Sequence, residues 1–361
     1  MPKRLRKLLL LLLALVLIGL LLYKSSGFLA SVNFSWPKLW AAIRGADPLL
    51  LGLGVVGIYA CYGIRSLRWQ VFQRNLGAGH FWTILKLNLA GFASIFILGR
   101  AGEPIRPVLL AKKERSPIAD LFGIYFLERI FDAASTVAIA AIALTLFHGN
   151  ARQEGGSHLL ERAARTTGVF LLMFVIGAIA GLVYLRLHGT EALQRRLQGW
   201  LHAKNWKTTL ANVVLGFARG VQTVRTWGDL LLAIGYSALH WALVVYVYLW
   251  VSHAFGGKFL TLDLGDAMLL LAFTVVGSAV QVPVAGGGSQ LAALLVYTTV
   301  FGIEKEPATA AAIVIWLITF AACTLVGVPL LVHEGFSLGQ LRKIARQERE
   351  ELRSETGISE S

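Results

Sequence analysis

The stretch FWTILKLNLAGFASIFILGRAGEPIRPVLLAKKERS, residues 81–116, decides how this chain is folded. Residues 81–98 are apolar apart from Lys86 and a few small polar side chains, about the length that crosses a bilayer core of roughly 30 Å. Gly99, Gly102, Pro104 and Pro107 then interrupt the helix, because glycine loosens the backbone and proline removes a helical hydrogen bond. Were the segment a simple crossing, Arg65, Arg68 and Arg74 before it and Lys112, Lys113 and Arg115 after it would lie on opposite sides. Cytoplasmic loops collect Lys and Arg, so residues 81–116 are expected to dip into the membrane and return to the face they left.

The rest of the chain also calls for hydrocarbon as its solvent. Of its 361 residues 56% are hydrophobic and 15% charged, too apolar a balance for an ordinary soluble domain. Apolar runs at 8–22, 49–64, 81–98, 118–147, 166–185, 230–251, 264–282, 291–301 and 308–332 predict a helical protein. The formal charge of +14 is spread in short clusters between those runs, a pattern that fits positive-inside orientation and argues against a nucleic-acid partner. Cys61 and Cys323 fall inside apolar runs, so neither a disulfide framework nor a zinc site is expected.

Parity extends the topology. The run at 118–147 exits, the weakly charged 149–165 is external and 166–185 re-enters; the next segment carries Arg186, Arg195, Arg196, Lys204, Lys207, Arg219 and Arg225 against Glu191 alone, as a cytoplasmic segment should. After a crossing at 230–251, the stretch 264–301 is broken at Pro283 and the glycines behind it. Two crossings or a second hairpin both preserve parity, and the hairpin is preferred because 291–301 is short for a span. The run at 308–332 then leads to a cytoplasmic C-terminus. Helix, hairpin, helix occurs twice, with the second hairpin entering from the opposite face. The expected fold is an all-α polytopic membrane protein of about six spanning helices plus two re-entrant hairpins in an inverted repeat, a transporter plan whose broken helices meet near the midplane. Residues 1–48 read as an uncleaved signal-anchor helix and external loop. Residues 49–332 read as the transmembrane domain, with 189–228 a basic interfacial segment, and 333–361 as a charged cytoplasmic tail.

Three motifs carry chemistry. In GRAGEPIRP, residues 99–107, Arg100, Glu103 and Arg106 are spaced by three on a broken helix, and a guanidinium fork suits a phosphate; the plainer alternative is a solvated loop. In ERIFD, Glu128, Arg129 and Asp132 lie within a run too short to span without them. Glu128 and Asp132 share a helix face, and buried acids need basic partners, most simply Arg100 or Arg106; an ionic clamp that only fixes the fold is the alternative. In VPVAGGGSQ, Pro283, Gly286, Gly287, Gly288 and Gln290 form a turn whose amides are able to face a ligand, or a mere hairpin turn. His240 is an intramembrane histidine, either a proton relay or a packing residue. Tyr246, Tyr248 and Trp250 read as an interface belt.

On these three motifs together the chain resembles the lysylphosphatidylglycerol synthase transmembrane region, a flippase-like family, over roughly 49–332. The resemblance implies movement of lipids, such as aminoacylated phosphatidylglycerol or polyprenyl-linked sugars. Many members carry a glutamate shortly after the glycine turn where this chain has Gln290, and residues 333–361 are too few to be expected to form the cytosolic aminoacyltransferase domain of the synthases. The expectation is a lipid flippase or transporter of the cell membrane acting on anionic or polyprenyl-phosphate lipids, without a cofactor. An integral-membrane lipid or glycosyl transferase, using Glu128 and Asp132 on Mg²⁺, or a membrane subunit escorting a partner enzyme, are the alternatives.

Overall fold

The computed structural model describes residues 35–146 except 75 and 78, parts of 166–180, and 226–333 except 279, 280 and 283–285. The run at 8–22, the segment 149–165 expected to be external, residues 189–225 of the segment expected to be interfacial, and the tail beyond 333 lie outside them. Five helices among the described residues are long and apolar enough to cross a membrane, and the chain is an all-α, multi-pass membrane protein.

A short helix α1 (Trp36–Gly45) leads into α2 (Pro48–Gln73), started by Pro48 and by Asp47, whose side chain accepts from the amide of Leu49. Antiparallel to α2 runs α6 (Trp227–His253), capped by Thr226. The pair is tied at both ends. The Asp47 amide donates to the carbonyl of Ala254 at 2.8 Å, and Arg74 meets Asp229 at 2.5 Å. Between these ties the helices approach closely because Gly54 and Gly57 carry no side chain; a Cβ on Gly57 would stand 2.7 Å from Val247 Cγ2.

The first hairpin is α3 (Phe81–Leu98), a 3₁₀ turn at Gly99–Gly102, and α4 (Ile105–Glu114). Gly99 ends α3 with φ at 68°, a conformation that favours glycine. Ser94 Oγ donates to the Gly102 carbonyl at 3.0 Å, Arg106 lies across Gly91, and Glu114 returns to Gly79 just before α3 begins. Both feet of the hairpin therefore stand at the Arg74 end of α2, as expected for residues 81–116.

The second hairpin is α7 (Leu264–Gly277), a two-residue antiparallel pair of β1 (Gln281–Val282) with β2 (Gly286–Gly287), and α8 (Gly288–Leu295), which widens into a π turn at Val296–Val300. An Asp263–Asp266 capping box starts α7. Lys258 Nζ donates to the Gly302 carbonyl at 3.1 Å, and Phe259 packs edge-on against Tyr297. These feet stand at the Ala254 end of α6. The hairpins thus enter from opposite ends of the α2–α6 pair.

The long helix α5 (Ile118–Leu146) completes the first half. The second half is completed by α9 (Lys305–Trp316), a π turn at Leu317–Ala321, and α10 (Ala322–His333). Partners are exchanged between halves: α3 packs on α10, and its counterpart α7 packs on α5. This reciprocal packing is what a two-fold inverted repeat produces. Val56, Leu231, Val276 and Leu325 point outward and exposed, as side chains facing lipid do.

A direct check replaces Cys61 and Cys323 and places single cysteines at Arg74 and Lys113. Both should label from the same side of the membrane. Labelling from opposite sides would mean that residues 81–116 cross.

Candidate functional site

Between the two hairpins, against α2 and α6, lies a cavity of about 460 Å³. Ile95, Phe96 and Glu103 reach it from the first hairpin, and Leu271, Val275 and Ser278 from the second. This is the meeting place of broken helices that the repeat implies. One end is charged, with Arg65, Glu103, Arg129, Asp132 and His240 in its wall; most of the remaining wall is apolar or aromatic.

The charged end rests on a buried network that joins four helices. Arg65 donates to Glu128 at 2.8 Å and to Asp132 at 2.6 Å. Arg68 donates to Asp132 at 2.8 Å and to Ser237 at 2.8 Å. Arg106 pairs with Glu128 through Nη2, and its Nη1 stands 3.3 Å from the other carboxylate oxygen. Arg129 approaches Asp132 at 3.5 Å. Glu128 is completely buried beneath the cavity wall. Rings complete the cage: the Arg106 guanidinium lies 4.7 Å from the Trp69 ring centre and 5.2 Å from that of Phe92, and Arg129 lies 5.2 Å from Tyr125. Cation–π contacts of this kind strengthen when water is excluded.

The ERIFD and GRAGEPIRP motifs thus come together as expected, through Arg106 and Glu128. Glu103 accepts from the Tyr125 hydroxyl and lines the cavity. Arg100 stands in the 3₁₀ turn at the hairpin tip. The third motif behaves otherwise. Gln290 Oε1 accepts from the Gly287 amide, Gly286 and Gly287 pair with Gln281 and Val282, and Gly288 packs on Gly277. These residues bond within their own turn, away from the cavity wall; Pro283 lies outside the described residues.

Two arginines change their role. Arg65 and Arg68 read as a cytoplasmic flank, yet both are buried, because α2 continues to Gln73, well past its apolar run. Glu128 and Asp132 neutralise them there, which makes burial tolerable. Tyr248 is likewise no interface residue: it is buried, lines the cavity and shares a hydrogen bond of 3.0 Å with the Thr274 hydroxyl. The π turn at Leu317–Ala321 brings Thr319 and Phe320 to the wall; such local widenings of a helix are frequent at functional sites.

Hydrogen-bond accounting gives the cavity a sign. Arg65 Nη1 stands 3.5 Å from His240 Nε2. Arginine only donates, so Nε2 accepts and the ring proton sits on Nδ1. That Nδ1, Trp241 Nε1, and Nε and Nη2 of Arg129 are buried with no hydrogen-bond acceptor among the described residues, and all four atoms belong to residues of the cavity wall. Donors on Arg68, Trp69, Gln73, Arg106 and Trp316 and acceptors on Gln73, Asn88 and Glu114 are in the same condition on residues outside that wall. Four guanidiniums, of Arg65, Arg68, Arg106 and Arg129, face the three carboxylates of Glu103, Glu128 and Asp132. The site has donors and positive charge to spare.

Residues 9–327 match the lysylphosphatidylglycerol synthase TM region. The chain belongs to that family. A UPF0104 membrane protein from Methanothermobacter thermautotrophicus is 24% identical over 320 residues, covering 83% of this chain and 89% of the relative. No solved structure matches the chain. The family match encloses both hairpins up to α10, so the cavity and its arginine–carboxylate network lie inside the family region.

Proposed function

We propose that the protein is a lipid flippase or transporter of the cell membrane, and that its central cavity takes an anionic lipid headgroup, phosphate foremost. The surplus of guanidinium charge at the cavity's charged end carries this reading: Arg65, Arg68, Arg106 and Arg129 stand against Glu103, Glu128 and Asp132. A phosphate, with its negative charge and several acceptor oxygens, complements such a surplus of guanidinium groups. Arg129 is the anchor, because it lines the cavity, its side chain is about one third exposed, and its pairing with Asp132 is a long one at 3.5 Å. A volume of about 460 Å³ suits a headgroup; acyl or prenyl chains would remain in the surrounding hydrocarbon. Two hairpins inserted from opposite faces supply the moving parts for access from either side, with both termini cytoplasmic.

The transferase alternative draws less support. Mg²⁺ held by Glu128 and Asp132 needs free carboxylate oxygens, and guanidinium nitrogens occupy all four of theirs.

Reconstitution tests the proposal. In vesicles containing a fluorescent phosphatidylglycerol, Arg129→Gln should slow translocation about ten- to hundredfold, the equivalent of one charged hydrogen bond of about 1.5–3 kcal/mol. A wild-type rate in this variant would remove the headgroup role from the cavity.

A further inference from the structure

His240 stands in the cavity wall beside the arginines, and anion binding alone gives it no task. We infer, resting on the anionic-headgroup reading above, that the protein moves its anionic lipid together with a proton, and that the His240 ring holds that proton.

The ring is buried on α6 at the charged end of the cavity. The charged groups around it are Arg65 and Arg68 on α2 and Glu128 and Asp132 on α5, with Glu103 and Arg129 in the same wall. Cys61 on α2 donates its thiol hydrogen to the His240 carbonyl at 3.7 Å. Arg65 ties the ring to the ionic network: its Nη2 bonds Glu128 and Asp132, while its Nη1 stands 3.5 Å from His240 Nε2. Only an unprotonated nitrogen accepts from a guanidinium, so the resting ring is neutral.

A protonated ring carries hydrogens on both nitrogens, and among the described residues neither finds an acceptor. Nε2 meets a guanidinium and Nδ1 has no hydrogen-bond partner. Glu128 and Asp132 give all four of their oxygens to arginines. An imidazolium would also add to four guanidiniums that face three carboxylates. Buried charge of one sign is tolerated only when it is neutralised, and a phosphate in the cavity supplies the missing negative charge. Anion and proton therefore bind together, each tightening the other by the same factor.

The proton comes from water on the side where the headgroup enters, and it joins the Nε2 lone pair. Arg65 Nη1 then gives up the ring and turns to the phosphate, while its Nη2 keeps Glu128 and Asp132. On the far side the phosphate leaves, Nε2 returns its proton to water, and Arg65 closes on the ring again. One negative charge crosses with one proton, so the step is electroneutral.

The full-length chain in vesicles with a fluorescent phosphatidylglycerol and an entrapped pH dye tests this, because a phosphodiester keeps its charge throughout the histidine range. From about pH 7.5 down to about 5, around the ordinary histidine value near 6.5, wild-type binding should tighten as pH falls. The slope should reach at most about tenfold per pH unit, the limit for one linked proton. His240→Gln still accepts from Arg65 but does not titrate, so it should bind lipid without the slope and without moving protons; His240→Asn repeats the test with a shorter amide. An unchanged slope in both variants, or lipid movement without proton movement in the wild type, overturns the proton inference alone, provided that Arg129→Gln still slows translocation. If Arg129→Gln runs at the wild-type rate, the headgroup reading fails and this inference fails with it.

Discussion

Glu128→Gln should be the most damaging single substitution in the charged network, lowering stability by about 3–5 kcal/mol, the cost of stranding a buried charge. Glu128 is completely buried and accepts from Arg65 and Arg106, with Arg68 at 3.3 Å. Removing its charge leaves four guanidiniums facing Asp132 and Glu103. Even on the lenient insertion scale a charge at the centre of a span costs about 2.5–3.5 kcal/mol, so the surplus has nowhere favourable to go. The partner experiment separates pairing from mere packing. Arg106→Gln alone should also destabilise, and Glu128→Gln with Arg106→Gln should lose less than the two singles combined, because the double variant removes one charge of each sign. Unfolding midpoints in detergent, with a thiol-reactive dye reporting exposure of Cys61 and Cys323, measure all three. Strict additivity would mean that the short Arg106–Glu128 contact is not an energetic pair.

That network marks the limit of what the sequence discloses. The acids of ERIFD were legible because a run too short to span without them forces carboxylates into hydrocarbon, and a buried carboxylate demands a cation. Arg100 and Arg106 were both legible as candidates for that cation because proline and glycine around them signal a broken helix, and Arg106 is the one that pairs with Glu128. Arg65 and Arg68 were not, since they follow an apolar run and look like any basic flank. A clue was present in their spacing by three on one helix face, one turn from each other like Glu128 and Asp132, with Tyr62, Trp69 and Phe72 around them. The pairing of Arg65 with His240 spans half the chain and leaves no local trace. In the glycine turn the sequence shows the break in the helix but not its closure, in which the Gln290 side chain accepts from the Gly287 amide.

The topology was more legible than the site for a physical reason. Hydrophobic length, helix-breaking residues and the side on which Lys and Arg collect are properties of single segments, whereas the cavity wall is a property of six segments at once. The exchange of partners between halves, α3 on α10 and α7 on α5, follows from the inverted repeat, but close approach at those contacts depends on individual glycines that sequence periodicity does not single out.

Those glycines give the second large effect. Gly102→Ala and Gly277→Ala should each cost about 1–3 kcal/mol, the range for overpacking a filled interior, and should slow lipid movement as well. A Cβ on Gly102 would run into the Ser94 carbonyl and the Ile95 amide. One on Gly277 would strike the Gly288 carbonyl and stand 2.8 Å from Ala292 Cβ. In both cases the obstacle is backbone on the other limb of the same hairpin, so no side chain is able to rotate away and the limbs must part. Gly235→Ala provides the contrast: nothing lies within 4 Å of its Cβ position, and replacing a helical glycine by alanine there should gain up to about 1 kcal/mol. The sign of the change in unfolding midpoint therefore differs between hairpin and control positions. If Gly277→Ala proves as stable as Gly235→Ala, the second hairpin is not closed as tightly as α7 and α8 lie here, and the cavity beside Ser278 is open to the membrane in the resting protein.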